Sequence, residues 1–236
     1  MQGIIQRYME ANYSPLINRA LQLFHVRERI PNSQDIDSTF RNPFITVARD
    51  PGSGGAPIAK AVASKLGYTF VDDIIIEEIA RSTKKRAAVI KEIDEKNRTR
   101  IDDIVHSILN VEYVDEESYI TALVRILLNY AQNGKCVILG RGANFITPFA
   151  KGLHVSITAP YDIRLQRAVD YEGLSLAKAK VRLAKVELER NQFVRQYFKA
   201  NNKHRTAFDV TINTAYFTVP QARDIIIESF KQKFHS

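Results

Sequence analysis

The chain has 236 residues and one cysteine, Cys136, so no intrachain disulfide framework can form and a reducing compartment is expected. No apolar run approaches the roughly 18–20 residues of a membrane span, and we expect neither a signal peptide nor a membrane anchor. A cytoplasmic location follows as an expectation. The histidines, His25, His106, His154, His204 and His235, show no metal-ligand spacing and join no carboxylate–histidine motif, so no protein metal site is expected. Internal repeats and low-complexity tracts are also lacking. Tyrosine and phenylalanine lie along apolar faces rather than among the basic residues, which weighs against a stacking platform for single-stranded nucleic acid.

What is present is ordinary in bulk: 45% hydrophobic and 25% charged residues, as in soluble globular domains. This length suits one large α/β domain with an appendage. The formal charge of +8 is uneven, because residues 151–236 hold 15 Lys and Arg against 8 Asp and Glu, a difference of +7. A basic surface of that kind suits an anionic partner such as nucleotide, nucleic acid or acidic lipid. A solvated basic helix face explains it equally well.

Residues 1–42 differ from the rest. The stretch "IIQRYMEANYSPLINRALQLFHV" has helical spacing of apolar residues interrupted near Ser14-Pro15, and "RERIPNSQDIDSTFRNP" reads as a polar linker. We expect a helical extension packed on the core or on a second copy of the chain. From residue 43 to 236 a strand–helix alternation predicts a separate α/β domain. Strand-like runs are "FITVA" (44–48), "YTFV" (68–71), "KCVILG" (135–140), "LHVSITA" (153–159) and "FDVTIN" (208–213). Helical patterns occupy 57–66, 84–110, 116–133 and 218–233. Apolar strands separated by helices predict a five-stranded parallel sheet covered on both faces, with ligands at the carboxyl ends of its strands.

One such end carries "GSGGA", Gly52, Ser53, Gly54, Gly55 and Ala56, between the first strand and the next helix. Glycines let backbone approach an anion, and a helix N-terminus directs N–H groups and a positive dipole end toward it. The full Walker pattern G-x-x-x-x-G-K-[ST] adds a lysine and a hydroxyl. With Gly54 as its second glycine, Arg49 stands at the first glycine, Gly55 at the lysine and Ala56 at the hydroxyl. The match is therefore one of shape, and a tight strand–helix turn with no ligand fits it too. Pro57 is comfortable in the first helical turn but removes one N–H donor.

Further along come "VILGRGANFITPFAKGLHVSITAPYDIRLQRA", the basic stretch "GLSLAKAKVRLAKVELERNQFVRQYF" and "FDVTINT". In this order, the segments of residues 44–232 resemble the cytidylate kinase-like proteins, P-loop relatives of the nucleoside-monophosphate kinases with a lysine-less G-S-G-G loop. The resemblance implies a three-layer P-loop fold with a helical lid at about 160–205, ATP with Mg2+, and phosphoryl transfer to a nucleotide acceptor. It also implies that Arg141 and Asp72 hold the acceptor. Asp72 reads as well as a helix N-cap. Where better-studied cytidylate kinases have D-G-R-D, residues 139–142 read "LGRG", so Leu139 and Gly142 replace two aspartates and cytosine preference is not implied.

Phosphoryl transfer depends on positioning and charge neutralisation, so arginines can stand in for a missing lysine. Arg164 and Arg167 share a helix face, and Arg190 and Arg195 lie on the basic lid stretch; these four are the catalytic candidates, with Glu187 preceding Arg190 in the lid pattern. Each alone also reads as a surface ion-pair residue. Ser175 reads as the lid helix N-cap and Cys136 as core. The expected function is transfer of the ATP γ-phosphoryl group to a nucleoside monophosphate or similar small acceptor. A catalytically degenerate nucleotide sensor on the same fold and a basic nucleic-acid-binding protein are the alternatives.

Overall fold

The computed structural model describes residues 40–72, 76, 119–148, 150–198, 200 and 205–234. The proposed helical arm (its residues 1–39) and the helical pattern at 84–110 lie outside the described residues. Five strands, β1 (Phe44–Arg49), β2 (Thr69–Val71), β3 (Cys136–Leu139), β4 (Gly152–Thr158) and β5 (Val210–Asn213), form one sheet in the order β2-β3-β1-β4-β5, with every pairing parallel. The helices are α1 (Gly55–Leu66), α2 (Tyr119–Asn133), α3 (Ala143–Ile146), α4 (Tyr161–Glu172), α5 (Leu176–Phe198) and α6 (Val219–Phe234). The expected three-layer α/β architecture is the one observed.

Strand periodicity explains the layers. Side chains alternate across a strand, so β1 sends Phe44 to one face and Ile45 and Val47 to the other. Cys136 and Ile138 of β3 join Phe44 in a core closed by Leu123, Val124 and Leu127 of α2. Val137 and Leu139 join Ile45 in a core closed by Ile58 and Val62 of α1 and Ile226 and Phe230 of α6. β1 is therefore buried on both faces and hydrogen-bonded on both edges, as its uninterrupted β-branched run requires. The register Ile45↔Val137 and Ile45↔Leu153 brings the carboxyl ends of β3, β1 and β4 to one edge.

Cys136 is core, as expected: burial pushes its thiol up to about 12, and Sγ donates to Tyr130 O at 3.3 Å. Burial also raises the Tyr68 phenol, and the nearby Cys136 adds to the effect. Ser175 caps α5, its Oγ accepting from Lys178 N at 3.4 Å and its carbonyl accepting from Ala179 N at 2.8 Å. Arg182 Nη1 lies 2.8 Å from Glu172 Oε2, bridging α5 to the end of α4. No helix among the described residues is long and apolar enough to cross a membrane.

Candidate active site

The site grows from the end of β1. Asp50 N donates to Ile157 O at 3.0 Å, prolonging the β1–β4 ladder by one residue, and Thr158 Oγ1 donates to Asp50 Oδ2 at 2.6 Å. The chain then turns through Pro51 and the glycines into α1. The N-cap is Gly54 in left-handed geometry (φ 80°, ψ 11°), so no side-chain oxygen serves the first-turn N–H groups as Ser or Asp would.

Ser53 behaves differently from its neighbours. It is fully buried, and both its N–H and its hydroxyl donate to Asp50 O, at 3.2 and 2.8 Å. Its carbonyl accepts from Thr214 Oγ1 at 2.7 Å. Ser53 therefore holds the loop's shape, and the remaining donors of the expected cradle belong to Gly52, Gly54, Gly55 and Ala56. Thr214, just past β5, also receives Arg167: Nη1 donates to its Oγ1 at 2.9 Å and Nη2 to its carbonyl at 2.8 Å. Arg167 thus braces the loop from behind, through Thr214.

Arg164 has a similar duty. It is buried, with Nε donating to Ala159 O at 3.0 Å and Nη1 within 3.3 Å of both Pro51 O and Glu187 Oε2. Its guanidinium also faces the Tyr161 ring at 5.5 Å. The two arginines expected to meet phosphate from α4 hold the glycine loop and α5 against α4 in this structure. Both sit in the first two turns of α4. Arg195 is exposed on α5 and outside the cavity described next.

A cavity of about 410 Å³ lies between the strand ends and α5. Its walls include Arg49 at the end of β1 and Asp50 after it, Gly140 and Arg141 after β3, and Glu187 and Arg190 from α5. Arg190 Nη1 donates to Arg49 O at 3.0 Å, joining α5 to β1. Arg141 and Arg190 line the same cavity. Arg141 has φ 52°, a left-handed conformation that a non-glycine residue adopts at a cost. Its strained backbone at the mouth of a cavity is the kind of outlier found where a side chain must be aimed.

Asp72 follows β2 at the sheet edge, and its carbonyl accepts from Ile76 N at 3.1 Å. It does not line the cavity. Leu139 is core, and Gly142 (φ 67°) packs so closely on the Phe198 ring that a methyl group would overlap it. No aspartate at 142 fits beneath α5 in this arrangement. The residues missed by sequence reasoning are Arg49, Asp50 and Thr214. Two of them immediately follow the central strand's apolar run, where α/β sheets place their ligands.

The cytidylate kinase of Sulfolobus acidocaldarius is 22% identical over 190 residues, covering 80% of this chain and 94% of that protein. A uronate isomerase of Corynebacterium glutamicum is 30% identical over 99 residues, 42% of this chain but only 19% of that protein, so this match spans under a fifth of its length. The crystal structure of an uncharacterized protein from Eubacterium ventriosum superposes with a TM-score of 0.62 at 17% identity, covering 81% of this chain and 99% of that one, and shares the fold. The cytidylate kinase-like family itself matches residues 44–216, every element from β1 to β5 and most of the chain. On that extent the chain belongs to the cytidylate kinase-like family.

Proposed function

We propose that this chain is a nucleotide-binding phosphotransferase that moves the γ-phosphoryl group of ATP to a nucleoside monophosphate or a similar small phosphorylated acceptor. One observation carries the reading: a single cavity joins the glycine loop's entry, the Gly-Arg-Gly loop and α5, with Arg49, Arg141 and Arg190 in its walls. Phosphoryl transfer needs aligned phosphates and cations around the moving group rather than a covalent intermediate. Gly52, Gly54, Gly55 and Ala56 would hold the donor phosphates, and Arg141 the acceptor phosphate. Arg190 would screen charge on the group in flight. Asp72 stays in the proposal as an acceptor contact reached when nucleotide is bound.

ATP would arrive with Mg2+, which keeps several waters and takes one or two carboxylates besides the phosphates. Among the described residues no cluster of three or more His, Cys, Asp or Glu could hold a metal by itself. Asp50, at the loop's entry, has the chemistry for the single-carboxylate role. The division into an arm at 1–42 and a kinase-like unit at 43–236, with α4 and α5 as its lid, belongs to the same proposal.

A second reading has its own support. Ala56 stands where the Walker hydroxyl would be, and Arg164 and Arg167 are bonded to the protein's own loops. A nucleotide sensor on this fold would have that character. Incubation with MgATP and a panel of nucleoside monophosphates, with products separated by chromatography, decides between them. Formation of a nucleoside diphosphate from an acceptor supports the enzyme. Saturable ATP binding with no product from any acceptor replaces it with the sensor.

A further inference from the structure

The Walker pattern couples two positions six residues apart: a glycine opens it and a lysine follows its second glycine. Here both are inverted, with Arg49 at the first and Gly55 at the second. The structure explains why they change together. Arg49 ends β1 opposite Ile157, and its side chain crosses the N-terminal turn of α1. A methyl group at Gly55 would overlap Arg49 Cβ and come within 3.0 Å of its Cγ. At the far end, a methyl group at Gly140 would overlap Arg49 Nη1 and lie 3.0 Å from Cζ. The arginine is bracketed by two glycines and cannot coexist with a side chain at 55.

We propose that Arg49 is the phosphate-loop cation of this protein, reaching the donor triphosphate from the start of the loop where a Walker lysine reaches it from the end. Its guanidinium lies over the Gly140 backbone in the wall of the cavity that Arg141 and Arg190 share. It is planar, permanently charged and able to grip two phosphate oxygens, so it replaces lysine with a fork rather than a point charge. Arg190 bonds to the Arg49 carbonyl, so the lid residue and the loop cation are referenced to one backbone unit. The glycine at 55 is thus the space Arg49 requires rather than a decayed lysine.

The inference rests on the phosphotransferase reading for its role in turnover, while its binding claim stands by itself. The test measures ATP and inorganic tripolyphosphate affinity by calorimetry for wild type, R49Q, R49G, G55K and the double variant R49G/G55K, each checked by thermal melting. R49Q keeps the stem against Gly55 and replaces the charged guanidinium with a shorter, neutral amide. It should weaken tripolyphosphate binding about 10- to 100-fold, the worth of one charge-assisted hydrogen bond, while thermal melting shows it still folded. G55K alone should be destabilised by the overlap with Arg49. R49G/G55K restores the Walker arrangement and should bind at least about tenfold more tightly than R49G.

Wild-type affinity retained by folded R49Q overturns the proposal, as does a folded R49G/G55K no better than R49G. A wild type that binds neither ligand overturns it as well. A wild type that binds tripolyphosphate through Arg49 yet transfers no phosphate sinks the phosphotransferase reading and leaves this one standing.

Discussion

Arg190→Ala separates a catalytic arginine from a bracing one. The guanidinium donates Nη1 to Arg49 O at 3.0 Å from a half-buried position on α5. A fully buried bond of this type contributes about 1.5–3 kcal/mol, and partial exposure reduces it to about 1 kcal/mol. For a chain of this size, that is about 2–4 °C in Tm. If Arg190 meets the moving phosphoryl group, the kinetic loss is far larger. Donated arginines in P-loop enzymes contribute about 10³- to 10⁵-fold, and with Arg49 and Arg141 in the same cavity about 10²-fold or more is expected in kcat. ATP affinity should fall by less than about threefold, because a contact strengthened mainly in the transition state hardly affects ground-state binding. Initial rates of nucleoside diphosphate formation across MgATP concentrations, alongside thermal melts, measure both quantities. A variant with wild-type kcat and a lowered Tm would show that Arg190 only ties α5 to β1.

Three further outcomes are expected. Thr214→Val deletes the buried hydroxyl between Ser53 O and Arg167 and should cost about 1–3 kcal/mol in a denaturant titration; an unchanged midpoint would refute the brace. Cys136 should resist thiol reagents in the native state at pH 8, and stability should change with pH in a set direction. Its folded value is about 12 against an ordinary 9.0, so the folded state holds the proton longer. The contribution is therefore complete below about pH 9 and is lost as pH rises toward 12, which urea midpoints across that range would record. Segment 160–205 carries 11 Lys and Arg against 5 Asp and Glu, so ATP should slow its amide exchange; equal protection with and without nucleotide would count against a lid.

The sheet was legible in the sequence because its signals are local. A run such as "FITVAR" is β-branched and apolar throughout, and only a strand covered on both faces accommodates it. The glycine turn into α1, the Ser175 cap and the core placement of Cys136 follow from residue chemistry within a few positions. The arginines were not legible in this way. A guanidinium on a long flexible stem can reach phosphate, carboxylate or backbone carbonyl, and sequence spacing sets only the helix face it leaves from. Tertiary packing turned Arg164 onto Pro51 O and Arg167 onto Thr214, both within the protein's own frame. The same packing brought Arg49, a residue with no motif of its own, into the cavity wall. It did so because strand order β3-β1-β4 sets Gly140 beside the end of β1, while α1 begins with a glycine against the Arg49 stem. Those two clearances lie 85 residues apart in the chain, at Gly55 and Gly140, and only the folded sheet makes them one channel.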